Sequence, residues 1–183
     1  MSRITNLTAG QRARLSEFRD RWIEIGLCTA SANRPEAERG IAAAYGAAGL
    51  ASPERIVWCG SPFSQGLTRA MVRASVGDSV GASVEASVGA SVWDSVGASV
   101  RDSVWASVEA SVWDSVGDSV RASVGASVYG SHDAGWLSFY HYFSDAVGLT
   151  SQTEKMSGLW NLARSAGWAL PHANICWVSE RHH

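Results

Sequence analysis

"ASVWDSVGASVRDSVWASVEASVWDSV", residues 90–116, places Ser-Val at every fourth residue without exception. It lies within fourteen units of [Ala/Asp]-Ser-Val-x that run from Ala74 to Tyr129. Ser and Val never vary. The first position is Ala or Asp; the last is Gly six times, Trp at 93, 105 and 113, and Arg, Glu or Tyr elsewhere. A strictly apolar position beside an unconstrained one describes a side chain buried in every unit next to one that faces water.

The period decides which element carries the pattern. An α-helix turns about 400° over four residues, so a valine stripe drifts about 40° per unit and circles the helix in about nine units. No single face of a straight helix buries such a stripe. Six Gly, fourteen Val and fourteen Ser also put a helical repeat roughly 20 kcal/mol below poly-Ala in propensity. One continuous strand is excluded by length, since 56 residues would span more than about 150 Å. The reading predicts an α+β protein built on a short β-solenoid. Val fills a thin core and stacks from coil to coil, Ser bonds backbone at the bends, Ala or Asp sits at corners, and the fourth residue faces out. Four units per coil would stack Glu85 under Arg101; three would bring Trp93 to Trp105 and Glu109 to Arg121.

The small residue placed two before a central aliphatic resembles the pentapeptide-repeat proteins, whose square right-handed β-helix is what the resemblance implies here, although each unit is one residue shorter. The run is also similar to bacterial proteins that carry long "SVWDSVGASV" stretches between comparable flanks, a resemblance that implies no particular activity.

Three segments follow: a mainly helical N-terminal cap with one short strand (residues 1–73), the solenoid (74–130), and a helical C-terminal cap with a terminal strand (131–183). Thr8 to Gln11 fits a capping box before an apolar face of Leu15, Phe18 and Trp22. A second helix is expected over 35–48, bounded by Pro35 and Gly49, and a third from Ser61-Pro62 into the repeat. Asp133 is expected to cap a helix bearing Trp136, Phe139, Tyr140 and Phe143, followed by another over 154–166. "RIVWC" (55–59) and "NICWVSE" (174–180) echo each other and are predicted to pair in a small sheet, bringing Cys59 and Cys176 into one neighbourhood.

The chain is 46% hydrophobic with a net charge of −2, which excludes wholesale disorder and a general nucleic-acid-binding balance. Residues 74–129 hold seven acids against Arg101 and Arg121, an acidic middle between mildly basic flanks. Three scattered cysteines, no apolar leader and no membrane-length apolar run predict a cytoplasmic protein with reduced thiols.

No GxGxxG, P-loop, HExxH or GxSxG motif is present, and no cofactor or metal is expected. The leading reading is a noncatalytic module that binds a protein partner or itself through the solenoid's outer face, with Trp93, Trp105, Trp113 and Tyr129 as contacts. Membrane association and direct nucleic-acid binding are not expected. A second reading makes the acids, Asp94, Asp102 and Asp114, a mimic of a phosphate row that occupies a nucleic-acid-handling protein. A third places an enzyme site in the flanks around Cys59, His132, His141 and Cys176.

Overall fold

The computed structural model describes residues 3–76, 78–127, 133–172 and 174–181; the side chains of residues 69, 72–91, 93 and 172 lie outside that description. In the N-terminal flank, helix α1 (Ala9–Leu27) opens on the expected capping box. The Thr8 hydroxyl accepts from the Gln11 amide, and the Gln11 side chain accepts from the Thr8 amide. Phe18 and Trp22, one turn apart, are fully buried. Helix α2 (Arg34–Ala47) starts behind Asn33, whose side chain accepts from the Glu36 amide. It stops before Gly49, which takes φ of 74°. Strand β1 (Arg55–Cys59) and helix α3 (Pro62–Val76) lead into the repeat.

Through its described residues the repeat is helical. It forms α4 (Asp78–Ser107), α5 (Ala110–Val116), a π-helical turn (Gly117–Ala122) and α6 (Ser123–Ser127). Then come α7 (Ala134–Asp145), the short α8 (Thr150–Thr153), a 3₁₀ turn (Glu154–Met156) and α9 (Ser157–Ser165). Strands β2 (Ala169–His172) and β3 (Ile175–Ser179) complete a three-stranded sheet of order β1-β3-β2. Strand β1 pairs with β3 in parallel, Arg55 opposite Ile175, so the two Trp-centred segments do join. Strand β2 was not foreseen; it carries Pro171, which the sheet tolerates because β2 is an edge. Helices α2 and α9 cross at backbone contact through Gly40 and Gly158. A Cβ at Gly158 would lie 2.6 Å from the Ala44 amide nitrogen.

The predicted β-solenoid is therefore corrected to a segmented helix. The burial half of the reasoning holds. All nine valines from Val92 to Val124 are at most 3% exposed. The geometric half fails because a central helix does not need one face. Val92 packs with Ile41, Tyr45, Leu162 and Val178, whereas Val96 to Val124 join the cluster of Phe18, Trp22, Phe139 and Phe143. From Val92 to Val104 the stripe turns about 120°, and it passes from one apolar cluster to the other as it does so.

Where the drift would carry valine out of the core, the helix is interrupted. Ser107 is the last residue of α4, Val108 forms a parallel bridge with Ile4, and Glu109 is extended (φ −75°, ψ 156°). The N-terminal segment satisfies the backbone groups freed at that break. Ile4 donates its amide to Ser107 O (2.9 Å) and accepts from the Glu109 amide (2.8 Å), while Arg3 Nε donates to Val108 O (2.7 Å).

The π-helical turn supplies a second correction. Its i→i+5 bonding holds about 4.4 residues per turn, so four residues rotate about 330° and the drift changes sign. A period of 4.0 lies between the α and π values, so this turn opposes the drift of the α segments around it without cancelling it. Serine hydroxyls report the change. Ser103 bonds Ser99 O and Ser107 bonds Ser103 O, four residues back, whereas Ser123 bonds Asp118 O, five back.

Propensity loses because each unit forfeits roughly 1–2 kcal/mol as helix while a fully buried valine returns roughly 2. No helix among the described residues is long and apolar enough to cross a membrane.

Candidate functional site

Two of the repeat's aromatic residues meet across the helix break. Trp105 lies in the last turn of α4 and Trp113 in α5, and their rings stand edge to face with centroids 5.0 Å apart. Trp113 reaches inward to Phe139 (4.7 Å) and lies nearly parallel to Phe143, while Trp105 stays 44% exposed. Trp136, at the start of α7, extends the row. It is 42% exposed, stacks on Tyr140 at 6.1 Å, and carries the Arg121 guanidinium 4.5 Å above its ring. The face thus runs Trp105, Trp113, Phe139, Trp136, Arg121, with each ring held by the next.

Of the other predicted contacts, Tyr129 lies outside the described residues, as does the side chain of Trp93. Asp94, Asp102 and Asp114 are all exposed but do not form one row. Asp94 edges a cavity, Asp102 sits eight residues on with Arg101 3.6 Å from its carboxylate, and Asp114 follows the break.

That cavity, about 680 Å³, opens between α4, α7 and α9. One side is the small-residue edge of α4 at Gly97 and Ala98. The others are Trp136 and Tyr140, then Leu159 and Ala163, then Trp168 and Leu170. Burial pushes the Tyr140 hydroxyl up to about 12, so it remains protonated there. At the far wall Arg181 donates from Nη1 to Cys28 Sγ (3.0 Å), while its Nε and Nη2 are shielded from solvent with no acceptor.

The residues named for catalysis do not converge. Cys176 stands opposite Ile56, and Cys59 opposite Ser179, three positions along, so their side chains leave opposite faces of the sheet. Burial raises both thiols, Cys176 to about 12, which opposes thiolate chemistry. His132 lies outside the described residues. His141 is packed between Phe18, Trp22 and Trp160, and Nδ1 accepts from Trp22 Nε1 at 3.2 Å. Burial, then the Arg164 charge 3.0 Å from Nε2, pushes its pKa down to about 4. Among the described residues no three His, Cys, Asp or Glu side chains are grouped to hold a metal ion.

Sequence reasoning missed Trp136, Arg121 and Arg181. Trp136 shares its helical spacing with buried Phe139, Tyr140 and Phe143, so spacing alone marked it as core. Arg181 carries no signal at all, because only the fold sets it against Cys28. No family model, curated protein or solved structure matches this chain.

Proposed function

We propose that the protein is a noncatalytic binding module whose working surface is the face formed by Trp105, Trp113 and Trp136 with Arg121. Its partner is a protein segment that presents apolar side chains. The reading keeps the binding class expected from the repeat and moves it from a solenoid exterior to the seam between the repeat and α7. The observation that carries it is the pairing of large exposure with fixed geometry. Trp105 and Trp136 each leave more than two-fifths of their surface open, yet both are clamped by neighbouring rings. Trp and Arg are the residue types that dominate interface energetics, and rings already held in place lose little rotamer freedom on binding.

The test is selection of binders from a displayed random-peptide library against the full chain, followed by titration calorimetry with the enriched peptide. Trp105→Ala/Trp136→Ala is expected to weaken binding at least about tenfold, the usual size of a lost aromatic anchor. A dimer seen by sedimentation that dissociates in the same double variant would place a second copy of the chain on the face. Unchanged peptide affinity and unchanged mass in the double variant would remove the proposal.

A further inference from the structure

The cavity between α4, α7 and α9 has a polar wall group that the fold leaves unused. Tyr140 borders it and is otherwise enclosed, with 3% of its surface exposed. Trp136 stacks on its ring at 6.1 Å, and Phe139 and Trp113 stand against it at 5.3 and 6.5 Å. Its hydroxyl meets no hydrogen-bond partner among the described residues, yet it is not sealed from solvent as the Tyr45 hydroxyl is. The opening left to it is the cavity, where it feels the charge of Arg101, another wall residue. Kept protonated by burial, it is a donor with its hydrogen bond still to make.

The rest of the wall sets the character of the molecule that would take that bond. About 680 Å³ lies within the range of small-molecule sites, and Trp168, Leu159 and Leu170 give it an apolar, partly aromatic side. Gly97 leaves the α4 side open, since a Cβ there would meet nothing within 4 Å. The charged residues at the cavity balance, Asp94 and Asp133 against Arg101 and Arg181. Three of them are engaged: Arg101 stands 3.6 Å from Asp102, Arg181 donates to Cys28 Sγ at 3.0 Å, and Asp133 has a partner. Asp94 is exposed at the edge, where water screens it. An anion would meet the two acids and a cation the two arginines, whereas an uncharged body meets neither repulsion.

We infer that this cavity binds an uncharged, ring-bearing molecule with a carbonyl group, its ring body against Trp168, Leu159 and Leu170 and its carbonyl oxygen accepting from the Tyr140 hydroxyl. This goes beyond the protein-binding face and does not depend on it, because Trp105 lies on that face and not at the cavity.

Calorimetric titration of the full chain with four molecules of one shape tests the assignment: the ketone 1-tetralone, the hydrocarbon tetralin, the anionic 1-tetralincarboxylate and the cationic 1-aminotetralin. The ketone is expected to bind one to one and at least about fivefold tighter than tetralin, the size of one added hydrogen bond. Both ions should bind more weakly than the ketone. Tyr140→Phe breaks no hydrogen bond within the described residues, and it should abolish the ketone's advantage while leaving tetralin affinity unchanged. Leu159→Trp, which fills the space, should weaken ketone and hydrocarbon together, and it decides the matter if Tyr140→Phe does not fold. Trp105→Ala should leave ketone binding unchanged even where it weakens peptide binding. Equal affinity for tetralone and tetralin, tighter binding of either ion, a ketone advantage that survives in a folded Tyr140→Phe, full affinity in Leu159→Trp, loss of ketone binding in Trp105→Ala, or no saturable binding would each overturn the inference.

Discussion

Gly97→Ala and Val104→Ala together separate the segmented helix from every extended arrangement of the repeat. Gly97 sits inside α4, and a methyl group added there meets nothing within 4 Å. Its only large effect is the removal of a helix-interior glycine, a gain of about 1 kcal/mol. For a chain of this length that raises the melting temperature by about 2–4 °C. Val104 is 0% exposed, so truncation loses roughly 1.6 kcal/mol of transfer energy plus a cavity term, against about 0.5 kcal/mol gained in helix propensity. The net is a loss of about 2 kcal/mol, or about 4–8 °C. The sites are seven residues and about 10 Å apart along the helix, so the double variant should fall near the sum. Thermal unfolding followed by far-ultraviolet circular dichroism reads all three. In a solenoid Val104 would be equally sensitive, but Gly97 would occupy an outward position beside a bend, where alanine brings no gain. A Gly97→Ala melting temperature at or below that of the parent would refute the reasoning.

Gly158→Ala should destabilise by about 2–3 kcal/mol, since the new methyl would press on the α2 backbone at 2.6 Å and neither helix has a flexible side chain to yield; urea unfolding gives the value. Arg3→Ala removes the donor to Val108 O and should lower the melting temperature by about 2–4 °C through loss of about 1 kcal/mol. Glu109→Gln, which removes only the exposed partner of Arg3, should move it far less. The His141 pKa of about 4 lies below its ordinary 6.5, so as pH falls the unfolded chain takes up this proton first. Stability should therefore decline between about pH 6.5 and 4, and His141→Gln should flatten that part of the profile; an equal slope in both proteins would exclude the histidine as its source.

The flanks were readable because their signals are local. Thr8 and Gln11 satisfy each other within one turn, Asn33 and Gly49 bracket α2, and "RIVWC" and "NICWVSE" carry β-rich composition whatever surrounds them. The repeat was half readable. Invariance at valine announced burial, and burial is what the fold delivers at Val92 to Val124. What the period concealed is that a stripe wandering round a helix is harmless when apolar partners lie on several sides. The drift is interrupted by a break at Val108 and reversed locally by a π-helical turn at Gly117–Ala122. The break falls in an ordinary Ala-Ser-Val-Glu unit, and its cue is Arg3 and Ile4, a hundred residues away; the π-helical turn falls where two Asp-led units adjoin (114–121), a mark that does not by itself announce a change of helix type. The aromatic face follows the same logic. Trp105 and Trp113 are visible as outward positions, but their meeting depends on the break between them, and Trp136 and Arg121 join only through packing of α7 on the repeat.

The ¹³Cα chemical shifts of Val92, Val96, Val100 and Val104, each set against its random-coil value, test directly whether valine lines this core from a helix. The account predicts positive, helical deviations at all four, followed by their loss at Val108 and Glu109 and their return at Val112. A run of negative deviations across the four valines, or an unbroken helical series through residue 109, would contradict it.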